Sequence, residues 1–139
     1  MTVHGIGIDL LHIPRVVALI ERRGPSRLAS RILSPFELRD FRRLKLDKLD
    51  ENGQGSMEAA TRFLGVRWAV KEAAYKALYP FRPTWKDLTY TTFDIRTGSK
   101  PALALHPNVV VSSQLPRLHV SVSHDGQYII ANVVAEAST

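Results

Sequence analysis

The sequence predicts an α+β domain, with one early strand, a helical middle and antiparallel strands at the end. Three observations carry this. Residues Val3–Leu11 alternate with a period of two. Residues Met57–Tyr79 give the longest helical signal, without an internal proline. Asp125-Gly126 joins two alternating segments as a hairpin turn. The 139 residues fit one domain, read as spanning 1–139.

In the first strand, Ile6, Ile8 and Leu10 share one face, and Val3, Gly5, Gly7 and Asp9 share the other. Two glycines on one face leave room for another backbone or a ligand to come close. Asp9 stands at the end of that bare face, where an ordinary strand-end or turn aspartate is the plainer reading. Pro14 suits the first turn of a helix running to about Arg23, with Gly24 as its stop. A short helix over about Ser26–Leu33 follows. Ser34-Pro35-Phe36-Glu37 reads as a capping box opening a helix to about Leu46. Residues Asp50–Ser56 read as a loop too short to separate two domains.

Along Met57–Tyr79, the small residues Val66, Ala69, Val70, Ala73 and Ala77 share one face, so this helix can lie close against a sheet. Trp68, Glu72, Tyr75, Lys76 and Tyr79 fall on another, with Lys71 at its margin. Glu72 and Lys76 are four apart in the favourable order, which usually means a surface ion pair. A chemical role needs an outside partner such as Asp9. Strands follow over Leu88–Ile95, Ala102–His106, Arg117–His124 and Tyr128–Ala135, and Val109–Ser113 looks extended although a short helix fits.

Composition excludes several classes. Without cysteine there is no disulfide, thiolate nucleophile or Cys-based zinc site. No apolar run approaches the roughly 20 residues of a membrane span, so no membrane partner is expected. The N-terminus reads as a strand from Val3, without a signal peptide or presequence. His4, His12, His106, His119 and His124 lack metal-ligand spacing. Ten basic residues lie between Arg15 and Lys48 against Glu21, Glu37, Asp40 and Asp47, so this segment holds the whole net charge of +6. Such a segment either steers an acidic partner or forms solvated helix faces. Only Phe36 and Phe41 interleave with the bases, a weak signal for nucleic acid, which is not the expected partner. What remains is Asp9 on a glycine-bare strand, a Lys-Glu…Lys cluster on a close-packing helix and His124 at a strand-to-turn junction. Two carboxylates from different elements suit magnesium, which fills its other positions with water and phosphate oxygens.

Three runs stand in register along the chain. They are Gly5-Ile6-Gly7-Ile8-Asp9, Phe63-Leu64-Gly65-Val66-Arg67-Trp68-Ala69-Val70-Lys71-Glu72-Ala73-Ala74-Tyr75-Lys76, and His119-Val120-Ser121-Val122-Ser123-His124. Together they resemble the holo-acyl-carrier-protein synthases, the short single-domain branch of the 4′-phosphopantetheinyl transferases. The likeness covers nearly the whole chain, and the Phe-Leu-x-x-Arg-Trp-Ala-x-Lys-Glu-Ala-x-x-Lys run is its most specific part.

The resemblance implies the 4′-phosphopantetheinyl transferase fold, an antiparallel sheet packed on a long helix, assembled as a trimer with sites at subunit interfaces. It implies Mg²⁺-dependent transfer of the phosphopantetheine arm from coenzyme A to a serine of an apo acyl carrier protein, with 3′,5′-ADP leaving. Asp9 and Glu72 match the metal carboxylates, and Glu72 also matches the acceptor of the serine proton, directly or through water. Lys76 matches the residue on the diphosphate and leaving phosphate. Arg67 and Lys71 match positions at the coenzyme A cleft, and His124 a histidine close to the nucleotide, with Asp125 behind it. Arg15, Arg22 and Arg23 match the helix that docks an acidic carrier-protein helix. The implied compartment is the cytoplasm, or mitochondria in a eukaryote.

Three departures stand out. Phe41–Ala60 is longer and more polar than in compact members, Tyr75 replaces an often small residue, and Val109–Ser113 falls where the family has a short helix. Two other readings stay on the table: a basic nucleic-acid-binding module, and an inactive trimeric scaffold of the same fold.

Overall fold

The computed structural model describes residues 1–48, 55–92, 94, 96–106 and 115–138. Strand β1 (Val3–His12) leads into helices α1 (Ile13–Arg23), α2 (Pro25–Ile32) and α3 (Pro35–Arg43) and the long α4 (Gly55–Leu78). A single 3₁₀ turn over Trp85–Asp87 precedes β2 (Leu88–Thr91), and β3 (Ala102–Leu105), β4 (Arg117–Asp125) and β5 (Tyr128–Glu136) complete the chain. The strands form an antiparallel β1-β5-β4 sheet and a separate β2-β3 pair. Helix α4 lies across the three-stranded sheet, chiefly against β1 and β5.

The helix stops follow local chemistry. Gly24 at φ 83° ends α1, its N–H donating to the Ile20 carbonyl. Helix α3 ends at Arg43, earlier than the expected Leu46, because Lys45 takes a left-handed φ of 57°. At the other end of α3 the capping box forms as read: Ser34 N–H donates to Glu37 Oε1 at 2.8 Å, and Glu37 N–H to Ser34 Oγ at 3.3 Å. Helix α4 begins at Gly55, so the expected Asp50–Ser56 loop is shorter than its pattern suggested. Its positions 50–54, like the whole Val109–Ser113 segment, lie outside the described residues.

The glycine face of β1 is the inner one. A Cβ on Gly7 would sit 1.8 Å from the Ala73 carbonyl oxygen, and one on Gly5 would sit 2.1 Å from that of Ala77. Strand and helix backbones therefore touch with no side chain between them, which the small α4 residues Ala69, Ala73 and Ala77 permit. Leu11, Ile129, Ala131, Val133 and Ala135 complete this inner surface, all buried. Ile6, Ile8 and Leu10 consequently face outward, between 51% and 62% exposed, beside Tyr128 and Ile130 of β5.

Substituting Gly7 with Ala drives a methyl into backbone that cannot rotate away. The expected loss is about 3 kcal/mol, the upper end of ordinary overpacking, read from the urea midpoint. Gly98→Ala, in open space at φ 68°, is expected to cost about 1 kcal/mol.

Candidate active site

Asp9 and Glu72 meet where β1 crosses α4. Glu72 lies one residue before Ala73, whose carbonyl meets Gly7, and this brings its carboxyl to the edge where Asp9 projects. Both are partly exposed. Burial is the first cause holding the Glu72 carboxyl above its ordinary pKa; the Asp9 carboxylate adds to the rise and Lys76 opposes it. Lys76 reaches across from α4 to β1, donating to the Ile8 carbonyl at 2.7 Å and lying 3.5 Å from Asp9 Oδ1. Its partner is thus Asp9, the outside group the sequence reading required. Two carboxylates that repel each other at a partly exposed edge are a hard-oxygen donor set, and they fit one magnesium ion. Among the described residues no third His, Cys, Asp or Glu joins them, which leaves further coordination positions to substrate and water.

Arg67 and Lys71 project from the opposite side of α4, since five residues separate Arg67 from Glu72 and turn the helix by about 140°. Both converge on Glu37, whose side chain is 1% exposed. The Lys71 ammonium donates to Glu37 Oε1, to the Ile32 carbonyl at 2.8 Å and to the Trp85 carbonyl at 2.9 Å. Three acceptors use all three of its protons. This buried lysine therefore ties α2, α3, α4 and the 3₁₀ turn together, in place of the open-cleft contact that the resemblance implies for it. Burial lowers its pKa, and the Glu37 charge and hydrogen bond restrain the fall.

Arg67 is differently placed. Its guanidinium carbon lies 3.4 Å from the centre of the Phe63 ring and 5.5 Å from that of Tyr90. Nη1 donates to the Phe63 carbonyl at 3.2 Å. Together with Arg62, Leu44, Tyr90, Val122 and His124 it lines a cleft of about 560 Å³. So Arg67 and His124 share one cleft, at the opposite edge of the sheet from Asp9. The ladder pairs Asp9 with Ala131 and Ala131 with Val122, which puts β1 and β4 about 10 Å apart. His124 lies two residues beyond Val122. One chain presents two separate groups: Asp9, Glu72 and Lys76 at the β1 edge, Arg67 and His124 at the β4 edge.

Arg15, Arg22 and Arg23 are all exposed on α1. Arg23 rims a groove of about 710 Å³ floored by Leu19, Leu28, Ile32, Trp68 and Trp85. The sequence reading missed Glu37, Phe63 and Tyr90 as cleft-building residues. Glu37 had been explained already as a capping residue, and no local pattern showed that its carboxylate also reaches two cations from α4.

The Glu72 shift has a sign that can be checked. A carboxyl whose folded pKa is raised holds its proton more tightly when folded, so its contribution is complete below the ordinary value of about 4.3 and is lost as pH rises through the raised value. Melting in EDTA across that range is expected to show such a loss for the wild type, and Glu72→Gln is expected to remove that portion. A loss on acidification that the glutamine abolishes would contradict the geometry.

A family model of the 4′-phosphopantetheinyl transferase superfamily matches residues 5–133. The holo-[acyl-carrier-protein] synthase of Yersinia pestis (strain Pestoides F) is 32% identical, over 99% of this chain and 100% of its own. That of Yersinia pseudotuberculosis serotype O:1b (strain IP 31758) matches to the same extent. Among solved structures, the Plasmodium yoelii acyl carrier protein synthase with ADP bound superposes with a TM-score of 0.75 at 22% identity, over 99% of this chain and 97% of that one. The holo-(acyl-carrier-protein) synthase of Bacillus anthracis, in complex with CoA (3′,5′-ADP), gives 0.66 at 26% identity, over 99% and 100%. Sequence and fold agree along the whole length, and the chain belongs to the 4′-phosphopantetheinyl transferase superfamily, on the branch of the holo-[acyl-carrier-protein] synthases.

Proposed function

We propose that this chain transfers 4′-phosphopantetheine from coenzyme A to a serine hydroxyl of an apo acyl carrier protein and releases 3′,5′-ADP. The meeting of Asp9 and Glu72, with Lys76 bridging back to β1, is the observation that carries the reading. Asp9 and Glu72 would hold Mg²⁺, which would neutralise charge on the diphosphate oxygens. Glu72 accepts the serine proton, directly or through water, as the serine oxygen bonds to phosphorus and the bond from phosphorus to the departing 3′,5′-ADP breaks. Lys76, half exposed at the same edge, stabilises the oxygens of the departing phosphate. Arg67 and His124 hold the anionic nucleotide end in the β4 cleft. The working unit is the single domain 1–139.

The two half-sites support assembly as a homotrimer, in which the β1 edge of one copy completes the β4 cleft of the next. The outward face of Ile6, Ile8, Leu10, Tyr128 and Ile130 supports it independently, because monomers rarely leave so many large apolar side chains together in water. Beside α1, Arg23, Arg31 and Lys86 rim a mainly apolar groove whose two tryptophans, Trp68 and Trp85, pack edge-to-face on each other. That favours an acidic carrier-protein helix over nucleic acid. No helix among the described residues is long and apolar enough to cross a membrane. The Yersinia relatives support a cytoplasmic setting, and nothing in the comparisons supports a mitochondrial one.

Apo acyl carrier protein incubated with this chain, coenzyme A and Mg²⁺ is expected to gain the phosphopantetheine mass. Asp9→Ala and Glu72→Ala are each expected to slow the gain about 100-fold or more; full activity in both would refute the reading. Light scattering is expected to give three times the chain mass. Ile8→Asp is expected to yield monomers with an intact fold and no transfer, and a fully active monomer would overturn the shared-site arrangement.

A further inference from the structure

The buried cluster behind the β4 cleft has an unequal charge count. Arg67 and Lys71 bring two cations to one carboxylate, Glu37, and the side chains of all three are less than 10% exposed. Lys71 is fully engaged. Glu37 is nearly so: Oε1 accepts from Ser34 N–H and Lys71, and Oε2 accepts from Tyr90 N–H at 3.0 Å. The surplus positive charge therefore resides on Arg67.

Arg67 is also the member with donors to spare. Its Nε is sealed from solvent, points at Glu37 Oε2 from 3.6 Å and makes no hydrogen bond. Only Nη1 has an acceptor among the described residues, the Phe63 carbonyl. Nη2 has none there, and Arg67 lines the cleft shared with His124, which leaves Nη2 as the donor available to a ligand in that cleft. A guanidinium is planar, so fixing Nε on one side fixes the direction of Nη2 on the other. Glu37 is itself immobile, because the α3 cap and the β2 backbone hold it from two directions.

We propose that Glu37 is a positioning residue for the donor substrate: without reaching the cleft, it aims Arg67 so that Nη2 meets a phosphate of the nucleotide end. This rests on the reading of the β4 cleft given above. It also has a sign that separates it from simple electrostatics. Removing the Glu37 charge leaves more net positive charge near the cleft, which by attraction alone tightens anion binding. Loss of aim weakens it.

The test measures binding of 3′,5′-ADP and KM for coenzyme A in the full chain, well below the melting temperature. Glu37→Gln keeps the side chain's size and its acceptor for the cap. It is expected to weaken 3′,5′-ADP binding and raise KM about 10- to 100-fold, with kcat changed much less. In an Arg67→Met background the same change is expected to have no further effect, because Glu37 acts through Arg67. Glu37→Asp retracts the carboxylate while keeping its charge. It is expected to weaken binding less than the glutamine, and it carries the comparison if the glutamine variant does not fold. Unchanged or tighter binding in a folded Glu37 variant, or additive losses in the double variant, would overturn the proposal. Failure of the wild type to bind 3′,5′-ADP, or full binding by Arg67→Met, would instead overturn the reading of the cleft.

Discussion

The backbone contact between β1 and α4 governs this molecule. Gly5 and Gly7 let the strand lie directly on the carbonyls of Ala77 and Ala73, and any side chain there would push the two elements apart. That closeness brings Asp9, two residues beyond Gly7, to the same edge as Glu72, one residue before Ala73. It also lets Lys76 span from helix to strand and donate to the Ile8 carbonyl. The raised pKa of Glu72, due first to its burial and then to the nearby Asp9 carboxylate, is a consequence of this packing. An unfavourable charge pair persists because the contact beneath it is steric and shared along the length of the strand. A cation held there, as proposed, would relieve the repulsion, so that a cost in the folded chain alone would become affinity for the metal.

A second constraint operates on the other side of α4. Glu37 closes its own helix cap and also holds Lys71 and the Tyr90 backbone N–H, while Arg67 lies against it. Ser34 extends the same group by accepting from Thr89 Oγ1 at 2.8 Å. Three elements, α3 with its cap, α4 and β2, are thus joined through buried polar atoms. Such a group is sensitive to the loss of any one partner, since the remaining charge is then buried without compensation. Its return is directional: hydrogen bonds fix angles that apolar packing leaves free, and the cleft wall holding Arg67 depends on those angles.

The two constraints divide the chemistry between opposite edges of one sheet. The carboxylates and Lys76 lie at β1, Arg67 and His124 at β4, and the outer face between them is apolar and exposed. A single protomer therefore holds every residue type the proposed reaction needs and still does not bring them together. The separation also makes sense of the exposed Ile6, Ile8 and Leu10. The strand gives its glycine face to the helix, and its aliphatic face is what remains on the outside.

Much of this was legible in the chain itself. Alternation in β1, the small-residue stripe on α4, the Ser34 cap and the Asp125-Gly126 turn are local patterns, and local geometry decides them. The match of three motifs in register identified the family, and Asp9 with Glu72 and Lys76 follows from it. The tertiary structure alone decided that Lys71 is sealed inside while Arg67 keeps a free corner, although both stand on one helix four residues apart. It alone gave Glu37 a second task, and placed Asp9 and His124 on opposite edges. These outcomes depend on which elements from distant parts of the chain arrive beside a given side chain. Burial and hydrogen-bond partners are properties of that meeting, and no residue carries them in its own neighbourhood of sequence.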